Sequence, residues 1–261
     1  MDNRYQEICR QICEAEKDAA GLILHAHGIL AETKTGRRDV VTEYDRLVQE
    51  RLIALLQKAC PEAHFIGEES GVRDRLDADR LFIIDPIDGT MNFVHGFHHS
   101  CISVAYAERG EVCAAAVYNP YVDELFSAFL GGGAFLNGRK IQVSDAPLED
   151  SVAVFGTAPY YSELEEATFT LARKVFHHCL DLRREGSAAL DLCTVAAGRA
   201  GVYFEQRVCL WDYAAGALIV REAGGVCSRI DGSPFPQDGS KTDIFAGSQA
   251  AAADFRKLLD V

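Results

Sequence analysis

The chain has 261 residues, 48% of them hydrophobic, and carries 39 acidic side chains against 26 Lys plus Arg. This is enough to bury a large core, in one unit or two closely fused halves, and the net charge of −13 disfavours nonspecific binding to nucleic acid or anionic membranes. No long apolar run or signal-peptide core appears, and the nine cysteines form no C-x-x-C pair, so we expect a cytoplasmic protein without a membrane span.

The first part of the chain has two predicted helices. Apolar residues at helical spacing predict an amphipathic helix from about Asn3 to Ile29. The string Thr42-Glu43-Tyr44-Asp45 is typical of a capping box, which would start a second helix that ends near Lys58. The simplest role for Asp45 is therefore that of a helix cap.

Three short apolar segments then end in acidic residues. Glu68 follows the first of them, Asp85 the second and Asp212 the third, and Asp88 lies close behind Asp85. Mg²⁺ prefers such hard oxygen ligands and usually binds one or two carboxylates together with substrate phosphate. The four acids and a phosphate monoester would neutralise about three divalent cations. For Asp212 alone, a helix N-cap is an equally simple interpretation.

The string Asp85-Pro86-Ile87-Asp88-Gly89-Thr90 is the most informative of these. We expect a strand to stop at Asp85 and turn at Pro86, so that Asp88 converges on the same cation. Gly89 would let a ligand approach the backbone. If a helix begins near Thr90, the amides of Gly89 and Thr90 suit an oxyanion and the Thr90 hydroxyl suits water or phosphate. An acid-rich surface turn is the alternative.

The rest of the chain predicts a layered α/β fold. Strand-like runs in residues 100–145 are separated by turns at Arg109-Gly110, at the triple glycine 131–133 and at Asn137-Gly138. Farther on, helical patterns near 163–177, 186–197, 213–222 and 250–259 separate short strands. We expect two α/β halves, 1–146 with the first acidic motifs and 147–261 with the last.

Two other kinds of catalytic site are disfavoured. The string His98-His99-Ser100 lacks the spacing and context of a serine nucleophile with its base. The same histidines do not favour zinc catalysis, because hard carboxylates dominate the predicted site.

These motifs resemble the signatures of the inositol monophosphatase family. The first signature is Asp85-Pro86-Ile87-Asp88-Gly89-Thr90-Met91-Asn92-Phe93 preceded by Gly67-Glu68-Glu69-Ser70, and the second is Trp211-Asp212-Tyr213-Ala214-Ala215-Gly216. The similarity covers nearly the whole chain. It implies a five-layer αβαβα sandwich, a homodimer and a Mg²⁺-dependent, typically lithium-sensitive phosphatase.

The resemblance and the acid count together give a hypothesis for the metal ligands. Glu68 and Asp85 would bind one Mg²⁺ with the Ile87 carbonyl. Asp85, Asp88 and Asp212 would bind a second, and Glu68 with water a weaker third. A metal-activated water would then attack phosphorus in line, without a phosphoenzyme.

The resemblance also gives Asp45 a second role, that of orienting the Thr90 hydroxyl beside this water. Glu68 and the Thr90–Asp45 pair would position the water or accept its proton. For Asp45, capping and catalysis therefore remain as alternatives.

Substrate recognition is implied by resemblance as well. The Ala188 amide and the Glu205 carboxylate would face hydroxyls of the leaving alcohol, assisted by Ser187 and by Asp88 and Asp212, which suits a phosphorylated polyol such as inositol monophosphate. Arg184, with Arg183, would contact a second phosphate or pair with acids at a subunit contact.

Two alternatives stay open at this point, and one residue departs from the family pattern. Another monoester, such as fructose 1,6-bisphosphate, histidinol phosphate or phosphoadenosine phosphate, would use the same acids. An additional non-catalytic role in binding a protein is the second. The departing residue is His98, which stands where many relatives carry proline and so changes the expected rigidity of its loop.

Overall fold

The computed structural model describes residues 3–36, 39–69, 76 and 78–259. Within these ranges the helices are α1 (Asn3–Leu24), α2 (Glu43–Ala59), α3 (Thr90–Val94), α4 (Glu165–Phe176), α5 (Ala188–Ala196), α6 (Leu210–Glu222) and α7 (Gln249–Leu259). The strands are β1 (Ala31–Gly36), β2 (Asp39–Thr42), β3 (His64–Gly67), β4 (Arg80–Asp88), β5 (Cys101–Glu108), β6 (Glu111–Asn119), β7 (Glu124–Phe129), β8 (Gly133–Leu136), β9 (Arg139–Ile141), β10 (Val152–Phe155), β11 (Asp181–Arg183), β12 (Val202–Val208), β13 (Val226–Ser228) and β14 (Thr242–Gly247).

The strands form two main sheets and a small ribbon. The larger sheet follows chain order from β3 to β9 and is antiparallel except for the parallel pair β3–β4. The smaller has the order β11-β10-β12-β14-β13, with β10 parallel to both of its neighbours. The ribbon consists of β1 and β2.

Helices cover both faces of both sheets. Helices α1 and α2 pack on one face of the larger sheet, α5 and α6 lie between the sheets, and α4 and α7 cover the far face of the smaller sheet. Because strand residues alternate in direction, Val104 and Tyr106 face the first of these layers while Ala105 and Ala107 face the second. The predicted αβαβα sandwich is confirmed.

The predicted elements are present, with shifts at their ends. The first helix ends at Leu24 rather than Ile29, and the chain then takes a left-handed conformation at Gly28, with φ of 61°. Helix α6 begins at Leu210, three residues before the predicted Tyr213. The last helix of the sandwich begins at Gln249, one residue before the predicted start, and ends at Leu259 as predicted.

The predicted turns are confirmed by backbone geometry. Arg109 and Gly110 both have positive φ, as do Asn137 and Gly138, the conformation of the tight turns that suit the twist of a hairpin. The triple glycine joins β7 to β8 as a turn. None of the helices in the described ranges is long and apolar enough to cross a membrane.

The central helical layer connects the two parts of the chain. Helix α6 belongs to the C-terminal part and packs against β5 and β6 of the N-terminal sheet. The division near residue 146 falls between β9 and β10. It stays a prediction.

Candidate active site

The acids of three separate segments lie within electrostatic reach of one another. Glu68 follows β3, Asp85 and Asp88 belong to the end of β4, and Asp212 lies in the first turn of α6. Asp85 is buried. Burial raises its pKa well above the usual range, and the negative charges of the other three acids raise it further. The structure therefore brings the four predicted acids together around Asp85, which is buried, while Glu68, Asp88 and Asp212 are half-buried.

Asp85 and Asp88 reach this site through a β-bulge. Asp85 pairs with Ser103 and Asp88 with Cys101, so three steps along β4 match two along β5. Residues three apart in a regular strand point to opposite faces, and the extra residue of the bulge returns them to one side. The predicted strand end and turn at Pro86 are wrong, because β4 continues to Asp88. Proline is tolerated because the pairing with β3 ends before it.

Asp88 is held by the start of α5. Its Oδ2 accepts hydrogen bonds from Ser187 Oγ at 2.6 Å and from the Ala189 amide at 2.7 Å. Burial raises the pKa of Asp88 to about 6 even though these bonds oppose the shift. Ser187 is also the N-cap of α5, so this predicted substrate residue touches Asp88 directly. Ala188 is the first residue of the helix, and the amide that Asp88 uses is that of its neighbour Ala189.

Asp212 belongs to a helix rather than preceding it. The N-cap of α6 is Cys209, whose amide donates to Asp212 Oδ2 at 2.6 Å, as in a capping box. The interpretation of Asp212 as an N-cap is therefore wrong. Burial raises the pKa of its carboxyl well above normal, and the charges of Asp88 and Glu68 add to the shift.

Asp45 closes a helix capping box, as predicted, and also lies within hydrogen-bond reach of Thr90. Its Oδ2 accepts from the Thr42 amide at 2.7 Å and from Thr42 Oγ1 at 2.6 Å, which closes the capping box of α2. Its Oδ1 lies 3.3 Å from Thr90 Oγ1, which is also 3.1 Å from the Ile87 carbonyl oxygen. One hydroxyl has one proton, so Asp45 and the Ile87 carbonyl compete for it.

The turn from β4 into α3 requires glycine. Gly89 is the N-cap of α3 and has φ of 85°, a left-handed conformation. A Cβ there would lie 3.1 Å from the His99 carbonyl oxygen and 3.2 Å from that of Gly186. The helix begins at Thr90 as predicted, two residues after Asp88.

Gln49 is a site residue that the sequence did not reveal. It is buried on α2, four residues after Asp45, and its Oε1 accepts from the Glu69 amide at 3.1 Å. A Cβ at Gly67 would overlap this side chain. Gln49 therefore positions the turn that carries Glu68, and its spacing from Asp45 on one helix face was the available signal.

Glu205 lies in the middle of β12, and its carboxylate accepts hydrogen bonds from two protein donors. Its Oε1 accepts from the Ala158 amide at 3.0 Å and its Oε2 from the Tyr203 hydroxyl at 2.7 Å. Burial raises the pKa of this carboxyl, while these bonds and the charge of Arg184 oppose the shift. Gly156 admits the carboxylate, because a Cβ there would overlap it.

The two arginines point to different partners. Arg183 forms an ion pair with Asp181 of the same strand. Arg184 donates from Nη2 to Thr157 Oγ1 at 3.2 Å, and its charge acts on Glu205. Arg184 is thus beside the predicted substrate side of the site, and Arg183 is paired elsewhere.

Asn92 joins two segments that border the site. Its Nδ2 lies 2.7 Å from the His99 carbonyl oxygen and 2.8 Å from that of Glu185. The resemblance included Asn92 in a signature but gave it no role. Its amide fixes the loop before β5 against the segment that leads into α5.

The backbone conformation at His98 explains why this position does not carry proline. Its φ is 56°, which the proline ring cannot adopt, and its ring stacks on Tyr121 with centroids 4.8 Å apart. The loop is therefore braced by aromatic stacking instead of by a proline ring.

A sequence profile described as the Inositol monophosphatase family matches residues 4–259. The chain belongs to this family. An inositol-1-monophosphatase of Rhizobium meliloti is 38% identical over 226 residues, which are 86% of this chain and 84% of the relative. A Nus factor SuhB of Pasteurella multocida is 41% identical over 204 residues, 78% of this chain and 76% of the relative.

Solved structures of the family share the fold. The extragenic suppressor protein suhB of Bartonella henselae has a TM-score of 0.89 at 33% identity, covering 96% of this chain and 97% of that one. An IMPase/NADP phosphatase in complex with Mg²⁺ and phosphate has a TM-score of 0.83 at 26% identity, covering 98% and 94%.

The donor set fits a hard divalent cation. Asp85, Asp88 and Asp212 offer oxygen ligands only, and all three have raised pKa values because burial and mutual repulsion disfavour their charged forms. A cation removes that repulsion and permits all of them to ionise. The site of this inositol monophosphatase family member is therefore chemically suited to bind a divalent metal ion.

We expect Asp85→Asn to raise the melting temperature of EDTA-treated protein at about pH 8 by roughly 2–4 °C, the shift that about 1 kcal/mol produces. A carboxyl whose pKa is raised in the folded state binds its proton more tightly when the chain is folded, so the free energy of unfolding falls as pH rises. For Asp88 this loss occurs between pH 3.8, its ordinary pKa, and its folded-state pKa of about 6. Removing one charge relieves this loss. Differential scanning calorimetry with and without Mg²⁺ measures it.

Asp79→Asn is the matched control, since its side chain is 91% exposed, and it should not change the melting temperature. Mg²⁺ should also stabilise Asp85→Asn less than the unaltered protein. A lower melting temperature for metal-free Asp85→Asn would contradict the charge-crowding account.

Proposed function

We propose that the chain is a Mg²⁺-dependent phosphomonoesterase that hydrolyses inositol monophosphate to inositol and phosphate. The observation that carries the proposal is the convergence of Glu68, Asp88 and Asp212 on the buried Asp85, beside the Gly89–Thr90 turn. The inositol-1-monophosphatase from Rhizobium meliloti supports the substrate, and the relative solved with Mg²⁺ and phosphate supports the metal.

The metal ligands of the proposal follow the chemistry of the site. Glu68 and Asp85 with the Ile87 carbonyl would hold one Mg²⁺, and Asp85, Asp88 and Asp212 a second, with a weaker third on Glu68. The charge of four carboxylates and a phosphate monoester corresponds to about three divalent cations. When bound, Mg²⁺ supplies electrostatic stabilisation of the negative charge on phosphate and on the departing oxygen.

The chain's own residues would position the water and receive its proton. Thr90 Oγ1 can donate to Asp45 Oδ1 and so turn a lone pair toward an attacking water. Asp45 is fully buried and fixed through Thr42, so its position does not depend on substrate. Glu68 would share the task of accepting the proton, and the amides of Gly89 and Thr90 would bind phosphate oxygens.

Alcohol recognition would fall to the second half of the chain. Glu205 retains lone pairs beyond the two donors it already has, so it can accept from substrate hydroxyls. The Ala188 amide and Ser187 would border the same space, together with Asp88 and Asp212. Arg184, whose charge acts on Glu205, would contact a second phosphate if the substrate carries one.

Other monoesters form the nearest alternative. Fructose 1,6-bisphosphate, histidinol phosphate and phosphoadenosine phosphate would use the same metal and phosphate groups, and one structural relative is named as an IMPase/NADP phosphatase. A phosphate-release screen of purified protein across these substrates, with Mg²⁺ titrated, separates them.

A second candidate function is a protein-binding role alongside catalysis. It is favoured by one observation, that a relative is named Nus factor SuhB. The presence of every proposed acid ligand argues that such a role would accompany catalysis rather than replace it. A partner captured equally by the unaltered protein and by Asp85→Asn would identify it.

The proposal includes a cytoplasmic homodimer. All nine cysteines are free thiols, the form that a reducing compartment maintains. The net charge of −13 argues against nucleic acid as a direct partner.

Asp85→Asn and Asp212→Asn should each lower the rate of phosphate release at least about 100-fold while leaving the circular dichroism spectrum unchanged, because they remove a metal charge and not core packing. Asp79→Asn serves again as the control. Turnover close to normal in Asp85→Asn at saturating Mg²⁺ would refute the ligand assignment.

Lithium should inhibit at millimolar-scale concentrations, as is typical of the family, by occupying the weakly held cation position while phosphate is still bound. Steady-state kinetics with inositol monophosphate should show an uncompetitive pattern, since the inhibited form arises after substrate has bound. Purely competitive inhibition, or none, would require a different catalytic cycle.

Glu205→Gln should lower kcat/KM on inositol monophosphate about tenfold, the loss expected for a weakened hydrogen bond to substrate, and change turnover of an aryl phosphate much less. Arg184→Ala should have little effect on either. Kinetics on both substrates measure the difference.

Arg183→Ala is the matched control, because Arg183 is paired with Asp181. Selective loss of fructose bisphosphate turnover in Arg184→Ala, but not in Arg183→Ala, would favour the sugar bisphosphatase alternative. Equal losses of Glu205→Gln on every substrate would assign that residue a structural role.

A further inference from the structure

Three potential ligand side chains meet outside the carboxylate site. His99 precedes β5, Glu185 precedes α5, and Asp191 lies in the first turn of α5. One ligand atom from each lies within 4.8 Å of the other two. The His99 Nε2 atom is 3.3 Å from Glu185 Oε2. None of these residues belongs to the proposed Mg²⁺ ligands.

Asp191 is the member that requires an explanation. It is 1% exposed, and neither of its carboxylate oxygens has a hydrogen-bond partner in the part of the chain that the structure describes. Burying an ionised carboxylate without a partner is costly. Burial and the charges of Glu205 and Glu185 raise its pKa. A cation bound next to Asp191 would neutralise the buried carboxylate and give its oxygens a partner.

His99 is suited to complete such a site. Its Nε2 also has no hydrogen-bond partner among the described residues, although it faces Glu185. Burial lowers the pKa of His99, which favours the neutral ring whose nitrogen lone pair binds metals.

The backbone around the site is fixed in advance. The Asn92 amide bonds the carbonyl oxygens of both His99 and Glu185, so it holds the two segments at a constant separation. Ligand sites whose supporting groups are fixed lose less entropy when the ion binds. The loop before β5 and the segment before α5 are thus held in fixed relative positions before an ion binds.

We propose that His99, Glu185 and Asp191 form a binding site for a divalent transition-metal ion of the Zn²⁺ type, separate from the carboxylate centre. One imidazole with two carboxylates is a ligand set that such ions accept, and the two negative charges match the charge of the ion. The side chains of His99 and Glu185 are 31% and 34% exposed, so water can enter and fill the remaining positions.

The size of the cluster agrees with this. An ion central to a triangle no wider than 4.8 Å lies at most about 2.8 Å from each ligand atom, against about 2.0–2.2 Å in a Zn²⁺ site. Glu185 is half-exposed and can close that difference by a rotamer adjustment. The ion would brace the segment that supplies Asp88 with its two donors, Ser187 and Ala189.

Zn²⁺ titration of the full chain in excess Mg²⁺, followed by proton NMR of the histidine rings and by equilibrium dialysis, tests the site. The carboxylate centre contains no histidine, so Zn²⁺ bound there does not ligate a histidine ring, and the loss of a shifted signal in a His99 variant assigns that signal to the new site. We expect one of the eight histidine signals to shift in step with one bound Zn²⁺. His99→Gln should abolish that shift and weaken Zn²⁺ binding at least about tenfold.

His98→Gln is the matched control, because that ring stacks on Tyr121 and takes no part in the cluster. It should leave both the Zn²⁺ affinity and the shifted signal intact. Asp191→Asn keeps the shape of the side chain and removes the buried charge, so it should weaken Zn²⁺ binding as His99→Gln does. It provides the same test if His99→Gln does not fold.

Two results would overturn the proposal. Equal Zn²⁺ affinity in His99→Gln, Asp191→Asn and His98→Gln would mean that the bound ion lies elsewhere. The absence of any histidine shift with the unaltered chain would mean that His99 and the two acids share protons instead of a metal. Either outcome leaves the proposed phosphatase activity untouched, since that rests on other residues.

Discussion

Repulsion between carboxylates crowded around the buried Asp85 is the constraint around which this site is arranged. Asp85, Asp88 and Asp212 are held close together by elements that are distant in sequence, and burial and their neighbours' charges raise the pKa of each. Such an arrangement is stable only if the surrounding layers enforce it or a cation neutralises it. Here the two sheets and the helical layer between them hold the carboxylates in place. The all-oxygen donor set is also suited to a neutralising cation.

The same constraint explains why helix starts surround the site. Asp45 and Asp212 both occupy the third position of a helix, and Asp88 accepts from the first turn of α5. Helix N-termini present unpaired amides and a partial positive charge, so they lower the cost of keeping a carboxylate ionised. Local helix chemistry thus offsets part of the repulsion before any ion binds.

The sequence predicted the layers because apolar runs and helical spacing repeat through the whole chain, and it predicted the acids because each ends such a run. The sequence-based predictions were wrong where the pairing between strands determines the direction of a side chain. The bulge that turns Asp85 and Asp88 to one side depends on the register of β4 against β5, which no local pattern around Pro86 encodes. Gln49 and Asn92 were missed for a related reason, since they act on backbone groups far away in sequence. The start of α6 was placed late because the N-cap is a cysteine, an unusual capping residue.

The two carboxylate oxygens of Asp45 contact different parts of the site. One oxygen closes the first turn of α2 and the other lies within hydrogen-bond reach of the Thr90 hydroxyl, so a single carboxylate links the start of this helix to the proposed catalytic hydroxyl. Helix ends open and close far more often than whole domains unfold. Each opening at Thr42 would release Asp45 and disable the neighbouring hydroxyl for its duration. The catalytic output of such a molecule would decline with warming through local fraying, at temperatures where the sandwich as a whole is still intact.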